Sequence, residues 1–285
     1  MKRNLMFATL LGGAVTLGAV GFMSESATAQ SLGAGWTYQY DAVGDGSGGN
    51  QYDIRGMAMS IQGNRLFVAL TGGTPLAGVK ENGVTNGTIS WGDLFFNFSG
   101  KNFRDAASSG QLFGVRFAAS NDSAVGLGVY SNVKTTSVTS QNMGYSSLES
   151  YYNAGFDRAN TQGTAIATRQ AAYDYYGRGS IQTSIASGVK LGDVAILMGA
   201  DLSKLGLNFG DKAGSNTFGF SFDRSLLPEG SFLANVFLEC GNDAIAFKAS
   251  AVPEPTTMAG AAIGAAALAG MKRMKRRKQD NTAKA

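Results

Sequence analysis

The chain has 285 residues with 24 Lys and Arg, 20 Asp and Glu, one Cys and no His. Without histidine, Ser-His-Asp and Cys-His catalysis, His general bases and His-ligated zinc or copper sites are all excluded, and one Cys permits no internal disulfide. An enzyme built on this composition would have only carboxylate, Tyr or Lys chemistry to use.

Lys2 and Arg3 open the chain, an uncharged, largely apolar stretch runs from Leu5 to Met23, and Ala27-Thr28-Ala29 precedes Gln30. A positive start, an apolar segment and a small-x-small site in that order predict a secretory signal peptide over residues 1–29. Its partners are the Sec machinery and signal peptidase, cutting between Ala29 and Gln30. Residues 30–252 carry 15 Lys and Arg and 17 Asp and Glu, a net charge of −2. The basic balance of the whole chain therefore resides in its ends, and no nucleic-acid partner follows from it.

The interior predicts an all-β domain over residues 30–252. Asp41, Asp45, Asn50 and Asp53 lie in or beside the Gly-rich stretch Asp45-Gly46-Ser47-Gly48-Gly49-Asn50, where several oxygens could gather around Ca²⁺. The pattern is not that of an EF-hand, and a flexible turn explains the same residues; no other cofactor is expected. Leu66, Val68 and Leu70 alternate with their neighbours, as do Leu94, Phe96 and Phe98, then Phe113, Val115 and Phe117. Val194, Ile196 and Met198 repeat the pattern, and so do Phe218, Phe220 and Phe222. Gly63-Asn64, Gly72-Gly73, Gly188 and Pro228-Glu229-Gly230 read as turns. Asn82-Gly83 and Asn86-Gly87 give two hairpin signals within six residues. Short strands with polar turns predict an antiparallel β-sandwich or jelly-roll-like domain.

A small helical insertion is expected around 146–176. Ser146-Ser147-Leu148-Glu149 matches a capping box with Ser146 as N-cap, and Thr164 to Tyr176 has neither Gly nor Pro. Six tyrosines fall in or just before this insertion: Tyr145, Tyr151, Tyr152, Tyr173, Tyr175 and Tyr176. They read either as a contact surface for glycans or as aromatics packed on the sandwich. Trp36 and Trp91 complete the candidate glycan contacts. Cys240 shares a face with Val236 and Leu238, which predicts a buried, inert thiol. Asp122 and Asp243 each adjoin an Asn at a strand end, where Asx turns account for them.

The C-terminal residues 253–285 begin with Pro253-Glu254-Pro255, continue through an uncharged Ala- and Gly-rich segment from Thr256 to Met271, and reach the basic cluster Lys272, Arg273, Lys275, Arg276, Arg277 and Lys278. As a helix, the segment would rise about 24 Å, short of the ~30 Å hydrocarbon core, so its membrane insertion is expected to be transient. The basic cluster would stay cytoplasmic and the two prolines would hold the chain ahead extended for processing. A single-span anchor is the alternative.

This tail resembles the PEP-CTERM sorting signal of exosortase-dependent proteins in Gram-negative bacteria. Gly92-Asp93-Leu94-Phe95-Phe96-Asn97-Phe98, Val115-Arg116-Phe117-Ala118, Asn121-Asp122-Ser123 and Glu239-Cys240-Gly241-Asn242-Asp243 are similar to segments of such surface proteins. The resemblance implies an exported β-rich protein, processed by an exosortase and delivered to the envelope surface or extracellular matrix, where biofilm exopolysaccharide would be a neighbour. It implies no catalytic residue. The expected role is structural or adhesive; a carbohydrate-binding module is the second reading and a carboxylate-based glycosidase the third.

Overall fold

The alternating segments form two stacked sheets, and the computed structural model describes residues 30–160 and 165–251. The chain starts with β1 (Gln30–Leu32), then lays down β2 (Thr37–Tyr40), β3 (Ile54–Gln62) and β4 (Arg65–Gly72). A ribbon of β5 (Val79–Lys80) and β6 (Thr88–Ile89) follows, its seven-residue loop holding both Asn-Gly pairs. Next come β7 (Leu94–Asn97), α1 (Phe103–Ser108), β8 (Leu112–Arg116) and β9 (Gly128–Thr136). After α2 (Leu148–Tyr151) and α3 (Arg169–Tyr176) the chain returns through β10 (Ser184–Gly192), β11 (Ala195–Met198), α4 (Gly199–Lys204), β12 (Asn216–Asp223), β13 (Gly230–Phe237) and β14 (Ala244–Ala251).

One sheet has the order β1-β14-β13-β7-β8-β9-β10 and the other β11-β12-β4-β3-β2. Every pairing is antiparallel except β1 with β14. The protein is thus an all-β sandwich. The alternation in the sequence assigns the faces. Leu94, Phe96, Val115, Phe117, Leu66, Val68, Phe218, Phe220 and Phe222 meet between the sheets, with Val236, Leu238 and Cys240 among them. Phe95, on the opposite face of β7, packs outward beneath α1 against Phe103 at 5.4 Å between centroids. On the far side of the second sheet, Ala58 and Ala69 are covered by Leu202 and Phe209. Helices therefore cover both outer faces.

The local details depart from expectation at three places. Gly188 does not turn the chain but lies inside β10, where the register with β9 shifts on either side of it; a bulge absorbs the glycine. The cap of α2 is Ser147, not Ser146: Ser147 is extended, its Oγ accepts the Ser150 N–H at 3.0 Å, and the Ser150 hydroxyl faces back to the Ser147 N–H. Glu149 is thereby released to pair with Arg178 at 3.1 Å. The helix expected from Thr164 begins at Arg169, because Thr168 is extended and its hydroxyl caps the Ala171 N–H.

No helix among the described residues is long and apolar enough to cross a membrane. The signal peptide with Ala27 and Ala29, and the tail with Pro253, Glu254, Pro255 and the basic cluster, lie outside the described residues.

Candidate metal centre

The turn joining β13 to β14 is where distant segments of the chain meet. Leu238 and Cys240 face the core, which turns Glu239 and Asp243 toward polar neighbours on either side. Ser47 N–H donates to the Asn242 carbonyl at 2.9 Å, and Tyr145 N–H donates to the Cys240 carbonyl at 3.3 Å. The approach is so close at Gly144 that a Cβ there would lie 1.7 Å from the Cys240 oxygen, so only glycine fits. Burial pushes the Cys240 thiol up to about 12, which makes it an inert core group.

Asp243 is buried and does more than close an Asx turn. One oxygen accepts the Ala244 N–H at 2.7 Å and the other accepts the Ile54 N–H at 2.6 Å, 189 residues away in sequence. Its carboxylate joins those of Asp41 and Asp45, with one oxygen from each all within 4.8 Å of one another. Asp41 is buried at the end of β2 and accepts the Asn160 side-chain amide at 2.9 Å through Oδ1. Its Oδ2 accepts no hydrogen bond, and neither does the buried Oδ1 of Asp45. Burial holds both Asp41 and Asp243 well above the ordinary carboxylate range, and the neighbouring carboxylates add to the shift. Burial likewise raises Asp45, to about 7.

A cavity of about 60 Å³ opens beside the three carboxylates, with Tyr151, Arg158 and Arg169 also on its wall. Room of that size suits an ion with a few waters and is too small for a sugar ring. Hard oxygen donors with no sulfur or imidazole select cations such as Ca²⁺ or Mg²⁺. Of the four oxygen ligands read from the sequence, the fold brings Asp41 and Asp45 together and leaves Asn50 and Asp53 out. Asn50 is exposed, with its backbone turned against Gly73. Asp53 is occupied elsewhere: it accepts the Gly44 N–H at 2.9 Å and pairs with Arg55 Nε at 2.9 Å. The carboxylate missed was Asp243, some 200 positions from Asp41 and Asp45; the only signal was its place in the Glu239–Asp243 turn.

The tyrosines form a packed cap over this corner. Tyr151 is buried among Leu148, Tyr173, Ile181 and Phe237, and its hydroxyl donates to the Asp45 carbonyl at 2.6 Å. Tyr152 lies under the Arg169 guanidinium at 5.2 Å and meets Tyr173 edge-on. Tyr175 receives the Asn97 amide at 3.1 Å, and Tyr176 packs its ring against Phe103 and Phe237. These contacts are those of packed aromatics. Trp91 is fully buried, donates to the Thr74 carbonyl at 2.9 Å and leaves no face open to a glycan. Trp36 is half-buried and donates to the Leu205 carbonyl at 2.8 Å. Gln30 opens the edge strand β1.

Comparison with known proteins finds no match among curated proteins and none among solved structures. A model of the PEP-CTERM protein-sorting motif matches residues 251–277, starting at the last residue of β14. The chain therefore carries a PEP-CTERM protein-sorting motif over residues 251–277.

Proposed function

We propose that the sandwich is the exported, non-catalytic body of this surface protein, delivered to the envelope or extracellular matrix to act there as a structural or adhesive element. The observation that carries the reading is the sorting motif at residues 251–277, which follows the final core strand without a spacer. The absence of histidine and the burial of the single cysteine support a non-catalytic role. The small cavity beside the acidic cluster speaks against glycoside hydrolysis, because a sugar ring does not fit between those carboxylates. In this reading Sec machinery and signal peptidase act at Ala29–Gln30, an exosortase acts near Pro253–Pro255, and the membrane holds the tail only in transit.

The test is the intact mass of the native protein recovered from its own envelope and medium, with both termini mapped. The expected species begins near Gln30, ends near Pro253–Pro255 and lacks the Lys272–Lys278 cluster. Recovery of a chain that retains the cluster would replace sorting by a permanent anchor.

Carbohydrate binding is the second reading, and one feature favours it. Trp36 just ahead of the edge strand β2 and Tyr38 and Tyr40 within it alternate in sequence, are all half-buried, and Tyr38 and Tyr40 stack at 6.1 Å with planes only 8° apart. Flat aromatic rows suit sugar faces. Titration with exopolysaccharide would then change Trp36 emission while buried Trp91 stays silent. An unchanged spectrum across a broad glycan panel would remove the reading.

A further inference from the structure

We propose that Asp41, Asp45 and Asp243 bind a Ca²⁺ ion that fastens the Gly-rich loop after β2 to the β13–β14 turn beneath the tyrosine cap. The inference rests on two separate observations. The first is convergence: three carboxylates from two ends of the sequence present oxygens within 4.8 Å of each other. The second is that the convergence lacks donors. Asp41 is only 6% exposed, yet its Oδ2 accepts no hydrogen bond, and the buried Oδ1 of Asp45 accepts none either. Among the described residues no Lys or Arg forms an ion pair with any of the three. Leaving a buried carboxylate oxygen undonated costs several kcal/mol, and folds normally supply a partner. Here the partner that fits is a cation in the adjoining cavity of about 60 Å³.

The chemistry selects the ion. With no imidazole in the chain and the one thiol buried in the core, zinc and copper lack their usual ligands. Oxygens that all lie within 4.8 Å of one another are close enough to share one cation, and Ca²⁺ accepts such oxygens in a flexible geometry. Mg²⁺ demands near-ideal octahedral geometry and dehydrates reluctantly, which a cage of three protein carboxylates suits less well. The charge also balances: with Arg169 paired to Asp157 at 2.9 Å, two positive charges from Ca²⁺ and one from Arg158 on the cavity wall meet three carboxylates.

The site links four parts of the chain. Asp41 and Asp45 flank the start of the Gly-rich loop, Asp243 holds β3 through the Ile54 N–H, Tyr151 in α2 donates to Asp45, and Asn160 holds Asp41. A bound ion would therefore lock loop, turn and cap at once. On the surface-protein reading, a chain that leaves the cell unfolded would complete this corner only in the Ca²⁺-richer exterior; the site itself does not depend on that reading.

The experiment uses the full-length chain, with Ca²⁺ titrated against a chelated control and Tb³⁺ luminescence, sensitised by Tyr151, as the direct probe. Saturable binding with a Kd on the order of 10⁻⁴–10⁻³ M is expected. Saturating Ca²⁺ should raise Tm by about 5 °C over the chelated protein. Asp45→Asn, at a half-exposed position, should weaken binding at least about tenfold while the chelated protein melts as the parent does. Asp41→Asn, which keeps an oxygen for Asn160, should repeat the loss if Asp45→Asn folds poorly. Equal melting with and without Ca²⁺, an equal response to Mg²⁺, or full binding by both variants would overturn the proposal. The mapped termini would be unaffected by any of these results, so the two readings fail separately.

Discussion

Two groups of buried carboxylates in this sandwich receive opposite treatment. Asp93, fully buried ahead of β7, is surrounded by donors: the Asn121 amide at 2.9 Å, the Ile185 N–H at 2.6 Å and the Ser123 hydroxyl. Arg116 Nε in turn holds Asn121 at 2.8 Å and adds its positive charge nearby. Burial still raises Asp93, but the donors limit the shift to about 6. The Asp41–Asp45–Asp243 group has three carboxylates in one place and fewer donors than oxygens. A carboxylate that serves the fold alone is supplied with N–H and O–H groups by its own chain. The second group, short of donors among like charges, is the feature on which the proposed Ca²⁺ site rests.

The largest effect should come from breaking the first group. Asp93→Asn keeps the shape but turns an acceptor into an NH₂ facing Asn121, Ser123 and the Ile185 N–H. At least one buried donor loses its partner, and destabilisation of about 2–4 kcal/mol is expected. Urea unfolding at neutral pH measures it. The same substitution at Asp45 removes a like charge and no donor contact to Oδ1, so without Ca²⁺ it should leave stability nearly unchanged. If Asp93→Asn were as mild as Asp45→Asn, the contrast between the two groups would be lost.

The two groups also differ in how far the sequence discloses them. Period-two alternation identified both faces of β7 and the Phe218–Phe222 strand, because a half-buried strand writes its burial directly into residue order. Asp41 and Asp45 stood out through the Gly-rich loop that carries them. Asp243 did not, since its Asn242 neighbour and strand-end position have a sufficient local explanation, and its contact with Ile54 is a product of topology. Asn50 and Asp53 were misplaced for the same reason: sequence proximity is not proximity in a loop whose Asp53 is already paired with Arg55. Trp91 shows the limit for aromatics, because nothing beside it distinguishes a tryptophan 0% exposed from one at the surface. Helix α1 was missed although a signal existed: Asn102 caps the Asp105 N–H at 2.9 Å and returns its amide to the Asp105 carboxylate at 2.8 Å. That pair, three residues apart, is a reciprocal cap written with Asn and Asp.

Glu239 sharpens the comparison because it lies between the two cases. It is fully buried and accepts the Ser90 N–H at 2.8 Å and the Asn142 amide at 2.9 Å, yet the same Asn142 amide also donates to Asp122 at 2.8 Å, which brings a second carboxylate close. Burial pushes the Glu239 carboxyl up to about 8, and the nearby charge of Asp122 adds to the shift. The sign follows from which state holds the proton. Unfolded, the group ionises near 4.5; folded, it stays protonated until about 8. The folded protein therefore binds more protons across that interval, so the contribution is complete below about 4.5 and is lost as pH rises through about 8. Glu239→Gln keeps the shape of the side chain and cannot ionise. Urea unfolding at pH 5 and pH 8 should show a smaller decline for the variant than for the parent, by about 3 kcal/mol. Asp93 contributes a decline of the same sign in both proteins and cancels in the difference. Equal declines in parent and variant would mean that Glu239 is ionised in the fold and that Asn142 and Ser90 alone compensate it, which would move this carboxylate into the class of Asp93.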